Sequence, residues 1–384
     1  MACTQPYWSS LQVGSQHLAR QFADHGWLVH YFSAPTTFLH LFKMHSQEVR
    51  KRMLNSLLGP KAHYHNRIYS YIPFSLFAPS GLPLLRSRQL VDRWHKTIIP
   101  SIKRQLRKYA IEQVELLYID NIFFQCLTQI IKYHKSIFRV MDEHHRFQGW
   151  NADAKLIAKF IAKNCDLLIY SAKNLEQYVS QLNPKRSFLI PNGVDFSMFR
   201  PSIEPNRTTR HRFLKDIPDP IILYSGMIDS RIDFRLLRAS AARNPTISFI
   251  LAGPFGEHIK PKNLPKNIYC IGPVSHEELP SLMYSAKAGI IPFDVINKMT
   301  RIRGIRPLKL FEYMAAGIPV ITSRWPEIES INSPAWIYDS HDDFINLVQK
   351  AVNHKHDPRP FITFAEKHDW KKRFIQLLDQ SFLI

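Results

Sequence analysis

Arg301-Ile-Arg-Gly-Ile-Arg-Pro-Leu-Lys-Leu-Phe-Glu-Tyr-Met-Ala-Ala-Gly-Ile-Pro-Val-Ile-Thr322 is a short helix with punctuation at both ends, followed by an apolar strand. Pro307 suits the first helical turn, where its missing N–H removes nothing, and Gly317 followed by Pro319 is a stop, so the spacing predicts a helix over about 307–316. The first turn of such a helix offers free N–H groups and a positive dipole end, which makes it an anion seat. Lys309, with Arg301, Arg303 and Arg306 close by, deepens that seat, and a diphosphate fits it. Lys309 and Glu312 stand three apart and share a face, so a phosphate at Lys309 leaves Glu312 one turn deeper, where a carboxylate accepts both hydroxyls of a ribose. An intrahelical ion pair between the two is the competing reading.

Working outward, short apolar runs alternate with longer amphipathic stretches, the pattern of a βαβα parallel sheet. Strands are expected at Leu116–Ile119, Phe138–Met141, Leu167–Tyr170, Phe188–Ile190, Ile221–Tyr224, Ile247–Leu251, Ile268–Ile271, Gly289–Pro292 and Val320–Thr322. In open α/β sheets ligands lie beyond the carboxyl ends of the strands. The pattern breaks between Pro191 and Pro220, which sets the expected organisation: domain 1–192, linker 193–220, domain 221–357, and a closing segment 358–384 packing back towards the first domain. In that segment Trp370, Phe374, Leu377, Leu378 and Phe382 fall at helical spacing. A Rossmann-like half should open with an apolar strand, yet few residues precede Thr4, so the sequence enters in the first loop.

Three further strand ends carry candidate chemistry. Leu223-Tyr-Ser-Gly-Met-Ile-Asp-Ser-Arg-Ile-Asp-Phe234 puts Gly226 at a strand end, with backbone room for a phosphate, and Arg231 within reach. The turns at Gly253 and Gly272 end strands in the same way, and the main chain near Val274 is placed to read a nucleobase edge. Phe138-Arg-Val-Met-Asp-Glu-His-His145 ends a strand in Asp142, Glu143, His144 and His145; Asp142, the first polar residue beyond it, is the candidate general base, with Glu143 and His144 as alternatives. No metal-ligand spacing accompanies them.

Lys plus Arg number 51 against 31 Asp plus Glu, a net charge of +20 that calls for an anionic partner. From Lys43 to Lys108 there are 14 Lys or Arg against only Glu48 and Asp92, interleaved with Tyr64, Tyr69, Tyr71, Phe74, Phe77 and Trp94, a composition suited to an anionic membrane surface. Four scattered cysteines suggest neither a disulfide framework nor a zinc site. With no apolar run long enough to span a bilayer and no signal-peptide pattern, a cytoplasmic protein is expected, or one held at the inner face of the plasma membrane.

Taken in order, Gln12-Val-Gly-Ser-Gln-His-Leu-Ala-Arg-Gln-Phe-Ala-Asp-His-Gly26, Asp142, Asn164-Cys-Asp-Leu-Leu-Ile-Tyr-Ser171, Ile190-Pro-Asn-Gly-Val-Asp195, Gly226, Gly253, Gly272-Pro-Val-Ser-His-Glu-Glu-Leu279, Pro307–Val320 and the Trp370 segment resemble the GT-B glycosyltransferases. The likeness is to bacterial family-4-type enzymes and the xanthan glucuronosyltransferase-like group, and it leaves a gap from about Tyr31 to Ala110. The resemblance implies an α/β fold of two Rossmann-like domains facing across a cleft, the first binding an acceptor and the second a nucleotide sugar. It makes Lys309 a diphosphate contact, Glu312 a ribose contact, Gly226 and its loop a phosphate neighbour and the Val274 loop a base contact, with Leu308 and Arg231 also binding the nucleotide sugar. It implies transfer of a sugar from a UDP- or GDP-type donor to a lipid-linked or glycan acceptor, with no bound metal or other cofactor. Retaining family-4 enzymes carry a second glutamate eight positions before Glu312, where this chain has Gly304. Other readings are an inactive GT-B scaffold, a sugar-nucleotide epimerase, against which the basic stretch argues, and a nucleic-acid-binding protein, which would need recognition motifs that are absent.

Overall fold

The computed structural model describes residues 8, 12–43, 47–78, 85, 88–143, 152–201, 211–256, 259, 261, 263–353 and 355–381. The chain divides into two units, residues 1–191 with 374–384, and residues 192–373.

The first unit contains β1 (Val29–Phe32), β2 (Thr36–Thr37), β3 (Lys61–His63), β4 (Ile68–Tyr71), β5 (Phe74–Ser75), β6 (Gln113–Ile119), β7 (Lys132–Val140), β8 (Leu167–Tyr170) and β9 (Ser187–Leu189). Strands β6, β7, β8 and β9 pair in that order, all parallel. Strand β4 pairs with β1 in parallel and with β3 antiparallel, and β2 pairs with β5. A core that includes Leu117, Ile119, Phe138, Val140, Ile157 and Ile161 joins the sheet to the helix Ala152–Asn164.

The second unit contains β10 (Ile221–Ser225), β11 (Ser248–Ala252), β12 (Ile268–Gly272), β13 (Ala288–Ile291), β14 (Val320–Ser323) and β15 (Trp336–Tyr338), all parallel, in the order β12-β11-β10-β13-β14-β15. This is the doubly wound order, and its direction reverses between β10 and β13, where such sheets bind ligands. The continuous apolar runs have a simple cause: Ile221, Leu223, Ile250 and Ala252 enter one core, while Ile222, Tyr224, Phe249 and Leu251 enter the other.

All nine expected strands form, although β6 and β7 begin earlier than expected, at Gln113 and Lys132. The helix expected over 307–316 runs Leu308–Ala315, with Pro307 at the capping position rather than inside the first turn, and Gly317 turns the chain at a φ of +76°. The boundaries need correction. The described parts of the expected linker, 193–201 and 211–220, belong to the second unit: Val194, Phe196, Phe199, Leu214 and Ile217 are buried in its core. Val194 N–H donates to His368 O at 3.0 Å and Trp370 N–H donates to Val194 O at 2.9 Å, which stitches this stretch to the chain's last part. The second unit likewise extends past 357, because the helix Arg359–Glu366 lies against Leu308–Ala315, with Phe364 and Phe311 stacked at 6.2 Å. The closing helix Trp370–Ser381 begins within the second unit; from Phe374 on it belongs to the first, where Phe374 meets Phe22 edge-on at 4.8 Å. The region before Thr4 lies outside the described residues. Among the described residues no helix is long and apolar enough to cross a membrane.

Candidate active site

The second unit's site begins where β10 and β11 end. Gly226 N–H donates to Ala252 O at 2.8 Å, and Gly253 N–H to Gly272 O at 2.8 Å, so three strand ends are laced together through glycines. Gly226 has φ +121° and Gly253 φ +152°, and a Cβ on Gly253 would lie 1.9 Å from Gly226 O, a distance no side chain tolerates. The helix Leu308–Ala315 is pinned over this point by Tyr313. The phenol accepts from Ser225 N–H at 2.7 Å, and its ring fills the space where Gly289 on β13 lacks a side chain.

That docking carries Lys309 to the strand end. Its Nζ lies 2.9 Å from where a Cβ of Gly226 would be, 3.7 Å from the centre of the Tyr224 ring and 5.9 Å from that of Phe293. It makes no hydrogen bond or ion pair with any described residue, so the competing reading, an intrahelical ion pair with Glu312, does not hold. Burial pulls this ammonium down to about 7; the charge of Arg231 pulls the same way, while Glu312 and Asp229 pull back. A cation held beside a glycine with aromatic faces and no carboxylate on it is arranged for an anion from outside.

Arg231 lies in the same neighbourhood but is held by Asp229: its Nε donates at 2.9 Å and its Nη2 at 2.6 Å to the carboxylate. Burial pushes Asp229 up, yet the hydrogen bonds and charge of Arg231 outweigh it and hold the carboxyl below its usual range. Asp229 was not assigned a role from sequence, although its position two residues before Arg231 suits such a fork. The arginine cluster needs a larger correction. Arg306 does not line the anion seat; its Nη1 donates at 3.0 Å to the fully buried Glu327, with the Phe311 ring at 5.3 Å. Burial lowers its pKa, with Glu327 opposing. Arg301 reaches Ser230 Oγ at 3.4 Å from the helix Val295–Ile302.

Leu308 opens the helix, half-buried, and Glu312, one turn beyond Lys309, is buried with Oε1 3.7 Å from His276 Nε2. Val274, two residues before His276, is half-buried against the same core. The structure therefore brings Gly226, Arg231 and Lys309 together, and links the Val274 turn to Glu312 through His276, a residue assigned no role from sequence.

Asp142 and Glu143 belong to the first unit, just beyond β7. Neighbouring strand ends supply Asp120 after β6, bonded to Ser15 Oγ at the start of the helix Gly14–Asp24, and Ser171 after β8, whose Oγ donates to Met141 O at 3.4 Å. Glu143 is buried and Asp142 half-buried. His144 and His145 lie outside the described residues.

Two Rossmann-like units, the second with Lys309 at a glycine-lined strand end, fit the GT-B architecture. A model of the N-terminal domain of the glucuronosyltransferase GumK matches residues 1–170, and a "glycosyl transferase-like" model matches 231–379. Both models describe glycosyltransferases, and each matches one half of the chain. A putative teichuronic acid biosynthesis glycosyltransferase, TuaH of Bacillus subtilis (strain 168), is 27% identical over 206 residues, covering 49% of each protein, so the chain spans about half the length of this curated relative. Sucrose-phosphate synthase of Thermosynechococcus elongatus superposes with a TM-score of 0.66 at 17% identity, over 95% of this chain and 91% of that one. Anabaena HepE, solved with UDP and glucose, gives 0.64 at 10% identity over 100% and 99%. These likenesses establish the fold.

Proposed function

We propose that the protein transfers a sugar from a UDP- or GDP-type nucleotide sugar to a hydroxyl of a lipid-linked or glycan acceptor, at the inner face of the cytoplasmic membrane. The observation that carries this reading is Lys309, a half-buried ammonium beside Gly226 with no carboxylate partner among the described residues. The diphosphate sits between Gly226 and the first turn of the helix Leu308–Ala315, where Lys309, the helix N–H groups and the field of Arg231 meet its charge. Glu312 receives the ribose hydroxyls and the main chain near Val274 the base. As the acceptor oxygen bonds to the anomeric carbon, the bond from that carbon to the diphosphate breaks and its electron pair leaves with the diphosphate. With inversion, Asp142 takes the acceptor's proton; with retention, the diphosphate takes it and Asp142 orients the acceptor. Lys309 and the helix end meet the leaving group's charge, so this reading gives no step to a metal ion.

Support for the membrane surface comes from the helix Gln47–Leu58 and the turn before it, where Phe42, Leu57 and Leu58 are 79%, 75% and 74% exposed beside the exposed cations Arg50 and Lys51. Co-sedimentation with vesicles of anionic phospholipid, falling off with salt and absent from neutral vesicles, is the expected outcome. Equal recovery from both vesicle types would remove the charged headgroup from the proposal.

The donor site is tested by thermal unfolding in EDTA with UDP, GDP and ADP. A nucleotide at about 100 times its Kd adds about 2.7 kcal/mol, a rise of several degrees. Lys309→Ala should weaken binding by about 1.5–3 kcal/mol. No shift with any nucleotide in folded protein would overturn the donor reading in favour of an inactive scaffold.

A further inference from the structure

His276 has no part in the scheme above, yet its surroundings are built for one. The turn after β12 is closed from outside by Ser275 and Glu278: Ser275 Oγ donates to Glu278 Oε2 at 2.8 Å, Glu278 N–H donates to Ser275 O at 3.0 Å, and Arg212 holds the same carboxylate at 2.8 Å. On its inner side the turn is fixed by His276, whose buried ring meets Phe199 edge-on at 5.4 Å. That packing aims Nε2 at Glu312 Oε1, 3.7 Å away, the distance of an ion-pair contact rather than of a direct hydrogen bond, and among the described residues that carboxylate has no other ion-pair partner. A glutamate side chain gives up rotamer entropy when ordered. A neighbour that orders it before the ligand arrives removes that cost from binding.

We infer that His276 is a positioning residue: its imidazole holds the Glu312 carboxylate ready for the ribose hydroxyls of the nucleotide and joins it to the Val274 turn beneath the base. The inference rests on the donor-site reading, in which Glu312 takes the ribose. Base and ribose recognition then form one unit, because the turn that carries Val274 also carries the group that sets Glu312. His276 touches no reacting atom, so its loss acts on ribose recognition and leaves the diphosphate contact at Lys309 in place.

The test is calorimetric titration with the pairs UDP and dUDP, GDP and dGDP, ADP and dADP. For the base that binds, wild-type protein should prefer the ribose form by about tenfold, the scale of a hydrogen bond to a charged group. His276→Phe keeps a ring against Phe199 without its nitrogens. It should cut that preference to about twofold or less by weakening the ribose form alone, while affinity for the deoxy form stays within about twofold. His276→Gln, which keeps a donor, should restore most of the preference. Glu312→Gln should lower it as His276→Phe does, and the double variant should go no further. A His276→Phe protein that weakens both forms equally, or keeps the wild-type preference, overturns the inference alone; so does additivity with Glu312→Gln. Wild-type protein that binds none of the six nucleotides overturns the donor-site reading, and this inference with it.

Discussion

The two units end their strands on opposite chemistry. In the second, β10, β11 and β12 run out in Gly226, Gly253 and Gly272, which leave open backbone and one ammonium at the edge of the sheet. In the first, β6, β7 and β8 run out in Asp120, Asp142 and Ser171, carboxylates and a hydroxyl. Glycine ends admit a polyanion; carboxylate ends repel one and suit a neutral hydroxyl with a proton to give. On the proposed reading, one α/β architecture supplies a seat for the leaving group and a seat for the nucleophile by changing a few residues at the same end of its strands. A similar division separates Arg306 from Lys309, three residues apart: the first is neutralised inside the fold by Glu327, the second is left for a ligand.

The largest expected effect strikes at the division itself. Asp142→Asn should lower kcat by about 10²–10⁴-fold, the range for a general base, with nucleotide affinity unchanged. Steady-state kinetics beside calorimetry measure both, and full turnover in this variant would take the base away from Asp142. Next comes Glu327→Gln, which leaves the Arg306 charge buried without its partner and should cost about 3–5 kcal/mol in denaturant unfolding. Nucleotide affinity in the folded variant should change by less than about threefold, well under 1 kcal/mol; a loss as large as that of Lys309→Ala would return Arg306 to the anion seat.

The smallest effect is a pH slope. The empty site holds Lys309 near 7, and a bound diphosphate favours its protonated form, so affinity for an intact nucleotide sugar should be level below about pH 7 and fall above it, by at most tenfold per unit. Lys309→Arg, charged throughout, should flatten the profile. In the empty protein the sign is the reverse. Between about 7 and the ordinary lysine range the unfolded chain holds a proton that the folded chain has released, so stability should rise with pH there. A binding profile that keeps its slope in Lys309→Arg would assign the titration to another group.

Much of the second unit was legible because its strands are buried on both faces and therefore read as unbroken apolar runs, and because Pro307 and Gly317 mark a helix at both ends. The first unit hid β1 to β5, strands of two to four residues whose Tyr, His, Ser and Thr carry no unbroken apolar run. β15, three residues long, escaped for the same reason. The supposed linker misled because Val194, Phe196, Phe199, Leu214 and Ile217 follow neither the strand nor the helix period, and they are buried in a core with residues far along the chain, among them Leu310, Met314, Phe361 and Ala365. Sequence spacing grouped Arg306 with Lys309; only the fold brings Glu327 to one of them. It also had no means of placing His276 against Glu312, since 36 positions separate them and a turn and a helix from different parts of the sheet must meet.

The crossing of Gly226 over Gly253 has a consequence for how this protein can change over evolutionary time. A side chain at Gly253 collides with the backbone of Gly226, and one at Gly226 would have to take up a φ of +121° and push Lys309 Nζ aside, so neither position changes freely. On the donor-site reading, variation is left instead to half-buried neighbours of these glycines, Met227 after Gly226 and Val274 after Gly272, where a substitution would alter the choice of base without touching the place of the phosphates.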